Sequence, residues 1–284
     1  MNFGPMVRHI RLKKGFSQKE IYTGIISKSY AIEFEKGKHS ISTALLIEVL
    51  DRLSMDMDEF LFINKGYLLN EYSDYIYRIS KYANSHDLVS LKKLFAELSE
   101  KDNLIDNVHR AEVRCRIRII EHFKKTGHFD TTRTLEEDRH CIQEYLLRVE
   151  TWTLHEVQLF GNTIEFLDFN AHFPLFRSVS KSFSLYSEYD KGREIFCAML
   201  INLINQAIKH EFLDYAEVLI QQLKLLSTDY KEFFHHAIAK YFSYILLIKR
   251  GDAVNGRAKA KELLTFFYEL NQDALANELK VLLD

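Results

Sequence analysis

Basic side chains are concentrated near the start of the chain, in residues 8–38. This stretch of 31 residues holds eight lysines and arginines against three glutamates, a net charge of +5, whereas the whole chain of 284 residues carries −2. A compact basic patch on a slightly acidic chain is suited to binding a polyanion such as nucleic acid. A solvated surface with no partner explains the charge equally well, so charge alone does not decide between the two.

Residue types that often signal catalysis or metal binding are present but are not arranged for either. The chain has 12 histidines and three cysteines, yet it lacks HExxH, CxxC, GxxxxGK[ST] and GxSxG patterns. His235 and His236 are adjacent on a predicted helix and so lie on different faces. Cys197 lies in an apolar helical stretch that is typical of a core. We therefore expect no enzyme, no cofactor and no metal site.

Short helices must position the basic side chains, because five of the ten glycines fall within the first 66 residues. Ser17 and Glu20 form a capping-box pattern, with Phe16 and Ile21 as the matching hydrophobic staple, so a helix should begin at residue 18. Ser27 is a suitable N-cap for the next helix.

Further along, residues 43–54 predict another helix, and Asp56 with Glu59 predicts a second capping box before an apolar run. Two short helices joined by a tight turn inside such a bundle are typical of a helix-turn-helix.

In a helix-turn-helix, the second helix presents its N-terminal side chains to base edges and the first helix crosses the phosphate backbone. The predicted phosphate contacts are Arg8, Gln18, Lys36 and Lys38, the predicted base contacts are Lys28, Ser29, Tyr30 and Glu33, and Ser17 completes the DNA-binding set.

Residues 3–64 resemble the Cro/C1 (XRE) type of helix-turn-helix. The matching stretches are Ile10-Arg11, Gly15-Phe16-Ser17-Gln18, Ser27-Lys28-Ser29, Phe34-Glu35-Lys36-Gly37-Lys38 and Leu50-Asp51-Arg52-Leu53. The resemblance implies that Arg11 and Glu35 form a structural ion pair and do not read DNA. Tyr22 departs from the family pattern, which commonly has alanine there. A bundle of the same shape that binds no DNA stays open as an alternative.

Residues 66–284 predict an almost wholly helical region. Candidate first helices begin near residues 67, 105, 154, 191 and 230, so the units are about 37 to 49 residues long. This spacing is typical of a tetratricopeptide-like α-solenoid, although a non-repeating helical bundle is the alternative. The sequence therefore predicts an all-α chain. A helix-turn-helix domain over 1–65 precedes about five helix pairs over 66–284, and a capping helix over 274–283 closes the stack.

The combination of an XRE-type head and a helical-repeat body resembles the Rgg family of peptide-responsive regulators of Gram-positive bacteria. The stretches Ile26-Ser27-Lys28-Ser29 and Leu159-Phe160-Gly161-Asn162 are similar to that family as well. The resemblance implies a homodimer, a double-stranded DNA site with dyad symmetry, and a short hydrophobic peptide pheromone bound in the repeat domain, as in quorum sensing.

A bound peptide would lie along the concave face of the repeat domain, which the first helix of each pair lines. Asparagine and glutamine side chains suit this task because they both donate and accept hydrogen bonds, as a peptide backbone requires. The predicted polar contacts are Asn162, Asn202, Asn205, Gln206 and Tyr241, and the predicted apolar contacts are Phe166, Phe169 and Tyr244.

The sequence thus predicts a cytoplasmic, sequence-specific transcription regulator that a peptide switches. No membrane partner is expected, because no window holds about 18 uncharged apolar residues. The alternative is a protein-interaction adaptor whose repeat domain binds a partner protein and whose helix-turn-helix has no ligand-switched role on DNA.

Overall fold

The computed structural model describes residues 2–283, except for the side chains of Phe169, Asn170 and Ala274. Within that part of the chain every regular element is a helix and none is a strand, which confirms the all-α class. The chain forms two compact units, Met1–Ser85 and His86–Asp284. Among the helices described, none combines the length and the apolar character needed to cross a lipid bilayer.

The described part of the first unit consists of six helices. These are α1 (Gly4–Lys13), α2 (Gln18–Tyr22), α3 (Lys28–Glu35), α4 (Thr43–Arg52), α5 (Met57–Asn64) and α6 (Glu71–Asn84). The predicted capping box at the start of α2 is confirmed, because Glu20 N–H donates to the Ser17 hydroxyl and Ser17 N–H donates to the Glu20 carboxylate. The box predicted before α5 is wrong: Asp56 precedes that helix, but its side chain makes no capping hydrogen bond.

One apolar core holds the first five helices together. Its buried members are Val7, Ile10, Ile21, Tyr22, Ala31, Phe34, Leu46, Val49, Leu50, Leu53, Met55 and Phe60. The helix α1 approaches α3 so closely that a Cβ on Gly4 would lie 1.7 Å from the carbonyl oxygen of Phe34. Only glycine fits at that contact, which fixes α1 against the C-terminal turn of α3.

The helix α6 belongs to the first compact unit. From the sequence, the same residues were expected to begin the repeat region. The predicted DNA-binding domain over 1–65 is shorter than the compact unit Met1–Ser85, and its assignment to DNA binding stays a prediction.

The second unit contains the remaining ten helices of the described chain. These are α7 (Leu88–Ser99), α8 (Leu104–Thr126), α9 (Glu136–Arg148), α10 (Leu154–Thr163), α11 (Phe169–Ser180), α12 (Asp190–Lys209), α13 (Leu213–Leu226), α14 (Phe233–Lys249), α15 (Ala253–Glu269) and α16 (Asp273–Lys280). The predicted starts near 105, 154, 191 and 230 correspond to helices that begin at 104, 154, 190 and 233. The helix α16 occupies the place of the predicted cap.

Helices that are neighbours in sequence pack against each other along most of the second unit. Such contacts join α7 to α8, α8 to α9, α12 to α13, α13 to α14, α14 to α15 and α15 to α16, and α10 packs on α12. This nearest-neighbour packing is the arrangement expected of a helical-repeat domain.

Two local features place α10. The predicted capping box between Thr153 and Glu156 forms at its start, and the neighbouring Trp152 is buried. Near its end, a Cβ on Gly161 would lie 3.1 Å from the Cβ of Met199. Glycine thus permits a close approach of α10 to α12.

Candidate functional site

A buried ion pair joins α1 to the end of α3 in the first unit. Arg11 Nε donates to Glu35 Oε1 at 2.6 Å, and Arg11 Nη2 donates to Glu35 Oε2 at 2.8 Å. The third guanidinium nitrogen donates to the carbonyl oxygen of Phe16 at 2.7 Å. A bidentate arginine–carboxylate pair of this kind fixes geometry as well as charge. The two side chains are 7% and 3% exposed, so neither presents a surface to DNA.

Two side chains of α2 complete the hydrogen bonding of Glu35. Gln18 Nε2 donates to Glu35 Oε2 at 2.8 Å, and the hydroxyl of the buried Tyr22 donates to Glu35 Oε1 at 2.9 Å. Tyr22, which departs from the family pattern in sequence, therefore has a structural role that alanine could not fill. Gln18 was predicted to contact phosphate. One hydrogen of its side-chain amide is already donated to Glu35, so only the other is available to DNA.

The ionisation of this network follows from its hydrogen bonds. Burial opposes the charge on Glu35, but the bonds from Arg11, Gln18 and Tyr22 hold the pKa of its carboxyl below the ordinary value. The hydrogen bond to Glu35 raises the pKa of Arg11. Burial and the adjacent carboxylate raise the pKa of the Tyr22 hydroxyl. The pair thus stays charged and joins α1, α2 and α3 as one rigid group.

The N-terminal turn of α3 is exposed from Ser27 to Tyr30. Ser27 caps the helix by accepting a hydrogen bond from Tyr30 N–H at 3.3 Å, and Lys28 and Ser29 follow it as exposed residues. Tyr30 is 39% exposed, but its hydroxyl donates to the Ser40 carbonyl oxygen at 2.9 Å. The ring of Tyr30 is also stacked on His39, with the ring centroids 5.2 Å apart. The structure therefore leaves Lys28 exposed, places the exposed Ser29 hydroxyl 3.2 Å from that of Ser27, and ties Tyr30 to the loop after α3.

Three residues that were predicted to contact DNA separately come together at the other end of α3. The Glu33 carboxylate lies 2.9 Å from Lys36 Nζ and 3.0 Å from Lys38 Nζ. Hydrogen bonds from these two lysines lower the pKa of Glu33 to about 2. The oxygens of Glu33 are thus already paired, and the carboxylate moderates the charge of the two lysines; its role in base reading stays a prediction.

The remaining predicted contacts differ in their surroundings. Arg8 and Ser17 are exposed, and the Ser17 hydroxyl is used as the N-cap of α2. Sequence reasoning missed the role of Arg52, whose Nη1 donates to the carbonyl oxygens of Ile21 and Thr23 at 2.9 and 2.6 Å. The guanidinium thus satisfies carbonyls at the end of α2. The signal in the sequence for a role of Arg52 was that it follows Asp51 in the family-like stretch Leu50-Asp51-Arg52-Leu53.

A shallow groove of about 330 Å³ adjoins the N-terminal ends of α3 and α4. Ser27 and Ser42, the N-caps of the two helices, both line it. Backbone N–H groups at helix N-termini attract anions, so this groove is a suitable place for a phosphate of the DNA backbone. The full lining is Ile26, Ser27, Tyr30, Ser40, Ile41, Ser42 and Leu45.

In the second unit, Asn162 lies at a junction of α8 and α10. Its side-chain Nδ2 donates to the buried Glu112 carboxylate at 3.1 Å, and its backbone carbonyl oxygen accepts from the guanidinium of Arg116. Arg116 also pairs with Glu165 and lies 5.1 Å from the centroid of the Phe166 ring. Asn162 is therefore half-buried within a polar network and not isolated on a helix surface.

The predicted amides of α12 lie in different environments. Asn202 is exposed and donates to the Gly161 carbonyl oxygen at 3.0 Å, which links α12 to α10. Asn205 and Gln206 are half-buried, and the Oδ1 atom of Asn205 is buried with no hydrogen-bond partner among the described atoms. A buried amide oxygen without a partner is an energetic cost that a ligand or water donor would remove.

Two predicted peptide contacts belong to the core. Phe166 is 3% exposed, and Tyr241 is fully buried with its hydroxyl donating to the Leu279 carbonyl oxygen at 2.7 Å. This hydrogen bond joins α14 to α16, so we correct the predicted role of Tyr241 to a structural one, and that of Phe166 likewise. Tyr244 is half-buried, with Lys259 Nζ 5.9 Å from its ring centroid. The side chain of Phe169 lies outside the described residues.

Two histidines, His109 and His155, lie together at the start of α10. His109 Nε2 and His155 Nε2 are 3.1 Å apart, and His155 Nδ1 lies 3.0 Å from the Glu156 carboxylate. Glu156 also accepts from the Tyr145 hydroxyl at 2.6 Å. Burial, with a smaller contribution from His155, lowers the pKa of His109 to about 3, so this imidazole is neutral at pH 7.

Solved structures with the same fold were found over nearly the whole chain. A crystal structure from Listeria monocytogenes EGD-e, of a protein described provisionally as a transcriptional regulator, is 32% identical, covers 99% of this chain and 96% of that one, and has a TM-score of 0.89. The Streptococcus dysgalactiae SHP pheromone receptor Rgg2 is 24% identical over 98% and 97% of the two chains, with a TM-score of 0.79. The PrgX/cCF10 complex is 19% identical over 100% and 99%, with a TM-score of 0.70. The last two likenesses show the fold alone.

The family is decided by sequence. The model of the family described as "HTH-type transcriptional regulator Rgg, C-terminal domain" matches residues 91–281, which is more than half of the chain. Members of this family regulate transcription and are not enzymes. The chain therefore belongs to the Rgg family of transcriptional regulators.

Proposed function

We propose that this regulator binds a specific DNA sequence through α3 as a homodimer and that a short hydrophobic peptide, bound in the second unit, switches its activity. The proposal of DNA binding rests on one observation: the start of α3 is exposed, while its other end is held rigidly. Lys28 and Ser29 stand exposed at the capped end of α3, while the buried Glu35 network at the other end fixes that helix against α1 and α2.

The charges around α3 divide between affinity and specificity. Arg8, Lys36 and Lys38 supply cations for phosphates, which give salt-dependent affinity without sequence preference. Lys28 and Ser29 carry donors that reach base edges in the major groove, which is where sequence is read. Because phosphate contacts set the position of α3, both groups are needed for a specific complex.

The DNA part is tested with duplexes selected from a random pool by the wild-type chain. We expect the double variant Lys28→Ala and Ser29→Ala to lose at least tenfold of the preference for the selected duplex over a scrambled one, because each good base contact supplies about 1–3 kcal/mol. Lys65→Ala, an exposed lysine after α5, is the matched control and should keep the preference. Fluorescence anisotropy at fixed salt measures both affinities. An unchanged preference in the double variant would remove α3 from base reading.

Dimeric binding is tested on the same selected duplex. Two recognition helices should reach half-sites about 34 Å apart, so the duplex should have dyad symmetry and bind two chains. Sedimentation analysis of the complex measures the number of chains. One chain on an asymmetric site would contradict the proposal, and failure to select any site would favour the adaptor alternative.

The peptide part rests on the amides of α10 and α12. Asn162 of α10 follows Gly161, whose carbonyl oxygen accepts from Asn202 of α12. Asn205 and Gln206 lie about one turn further along α12, and the amide oxygen of Asn205 is unsatisfied. This set can satisfy an extended peptide backbone. A cytoplasmic site of action follows, because the DNA is there.

The peptide part is tested with a library of short hydrophobic peptides captured by the full chain. Asn205→Ala should weaken capture of the selected peptide by about tenfold, on the basis of roughly 1–2 kcal/mol for a lost hydrogen bond. Asn255→Ala, on α15, is the matched control. Isothermal titration of the selected peptide measures both variants, and equal affinities would remove Asn205 from the site.

A further inference from the structure

Three side chains that can bind a metal ion meet in the second unit. Cys197 lies on α12, Glu232 ends the short 3-10 turn Tyr230–Glu232, and His235 lies in the first turn of α14. One ligand atom from each side chain lies within 4.8 Å of the others. Thiolate, carboxylate and imidazole are the three kinds of ligand that Zn²⁺ accepts in proteins. The sequence did not indicate this cluster, because Cys197 and Glu232 are 35 positions apart.

The charge within the cluster is incompletely balanced. Glu232 is 5% exposed, and its carboxylate lies 2.6 Å from His235 Nδ1 but 3.9 Å from Arg193 Nε. That arginine nitrogen is itself buried without a hydrogen-bond partner among the described atoms. Buried carboxylates are normally fully hydrogen-bonded or paired with a cation. Glu232 therefore has one close partner and one distant one, and Cys197 Sγ lies within 4.8 Å of its ligand oxygen.

We propose that Cys197, Glu232 and His235 form a binding site for a divalent metal ion of the zinc class, with a water molecule as the fourth ligand. As the ion binds, the Cys197 thiol releases its proton to solvent and forms a sulfur–metal bond. The hydrogen bond between His235 and Glu232 breaks, the proton on His235 Nδ1 moves to Nε2 through solvent, and both side chains donate lone pairs to the ion. The bound ion fixes the end of the turn and α14 against α12.

The geometry requires only local movement. Tetrahedral zinc with metal–ligand distances near 2.0–2.3 Å holds its ligand atoms roughly 3.3–3.6 Å apart. The contact between His235 and Glu232, now 2.6 Å, must open by less than about 1 Å, and the thiol, which lies within 4.8 Å of both, must approach by no more than about 1.5 Å. The side chain of His235 is 13% exposed, which gives an ion a path from solvent.

Cobalt(II) is the probe that tests this site, because it replaces zinc and reports its ligands by absorption. Titration of the reduced full chain should give one equivalent of a thiolate-to-cobalt charge-transfer band, together with the intense visible bands of a four-coordinate ion, and Zn²⁺ should remove both. Cys197→Ser should abolish the charge-transfer band. Glu232→Gln and His235→Ala should each weaken cobalt binding at least tenfold in competition with a chromophoric chelator.

Matched controls keep the test independent of folding. His236→Ala alters the neighbouring histidine, whose Nδ1 contacts the Ser227 carbonyl oxygen, and Cys141→Ser alters a half-buried thiol on α9. Both should bind cobalt as the wild type does. A charge-transfer band that persists in a folded Cys197→Ser variant, or equal affinities in His235→Ala and His236→Ala, would overturn the proposal, as would the absence of any band in the wild type. The readout uses neither DNA nor peptide, so its outcome is independent of the proposed function.

Discussion

Each unit of this regulator contains a deeply buried glutamate, and the two are partnered very differently. Glu35, in the first unit, accepts hydrogen bonds at 2.6–2.9 Å from Arg11, Gln18 and Tyr22. Glu232, in the second unit, has a close partner in the His235 imidazole, whereas its nearest guanidinium nitrogen is 3.9 Å away. The same side chain at similar burial thus occupies a completed network in one unit and an incomplete one in the other.

This difference suggests a criterion that separates structural polar groups from ligand-binding ones: whether the hydrogen-bonding capacity of the buried group is fully used. A buried charge whose every lone pair is satisfied can only fix the elements around it, as Glu35 fixes α1, α2 and α3. A buried charge with unused capacity has free energy to gain from a ligand. In the second unit the amide oxygen of Asn205 is likewise buried with no hydrogen-bond partner among the described atoms. The following predictions test this contrast, from the largest expected effect to the smallest.

Glu35→Gln should cost the first unit about 3–5 kcal/mol of unfolding free energy, because it leaves the Arg11 guanidinium buried without its counter-charge. Urea unfolding, followed by hydrogen exchange of residues 1–85, measures the loss. A cost below about 1 kcal/mol would mean that the network is not what holds the three helices together.

Acid should weaken the second unit before the first. The pKa of His109 is about 3 in the folded state against 6.5 in the unfolded chain, so between these values the unfolded state binds a proton that the folded state does not. Stability therefore falls as the pH falls below 6.5, by roughly 2 kcal/mol at pH 5 from His109 alone. The contribution of Glu35 has the same sign but belongs to a lower pH range: it is present above the ordinary glutamate pKa and is lost only as the pH falls through the lowered one.

Hydrogen exchange at pH 7 and pH 5 distinguishes the two units. His109→Gln should reduce the difference measured in residues 86–284, and the exposed His140→Gln should leave it as it is. Equal loss of stability in both units would contradict this assignment.

Tyr22→Phe should cost about 1 kcal/mol, since it removes one hydrogen bond to a carboxylate that keeps its arginine. The ring and its packing stay, so the comparison with Glu35→Gln separates the ion pair from the hydroxyl. Thermal unfolding of the two variants measures both costs. A cost as large as that of Glu35→Gln would show that the network depends equally on each member.

Glu232→Gln should have the smallest effect, below about 1 kcal/mol in metal-free protein, because glutamine still bonds to His235 and Arg193 retains Asp190. Urea unfolding in the presence of a chelator measures it. A cost of several kcal/mol would make Glu232 a structural charge like Glu35 and would remove the contrast between the units.

Much of the fold was predictable because it depends on local signals. The capping boxes at Ser17 and Thr153 specify where helices begin, and the starts predicted near 105, 154, 191 and 230 each lie within a few residues of a helix start. The Arg11–Glu35 pair was implied by the family-like stretches. The failed box at Asp56 shows the limit of such signals, since a suitable residue can precede a helix without capping it.

The polar sites were harder to predict because they depend on contacts between distant residues. Helical spacing could not show that Tyr241 lies in the core with its hydroxyl on Leu279, or that Glu33 pairs with both Lys36 and Lys38. Likewise, the meeting of Cys197 with His235 depends on how α12 packs against α14. Periodicity identifies the buried face of a helix, but it does not identify the residue that packs against it.

The central claim is that the second unit controls the DNA-binding head, and its most direct test is a measurement of coupling. The affinity of the full chain for its selected duplex is measured by fluorescence anisotropy, with and without a saturating amount of the selected hydrophobic peptide. The account predicts a change of at least about fivefold, and an equal change in peptide affinity when DNA is bound, since coupling between sites is reciprocal. Identical DNA affinities in the two titrations, with peptide binding verified, would contradict it.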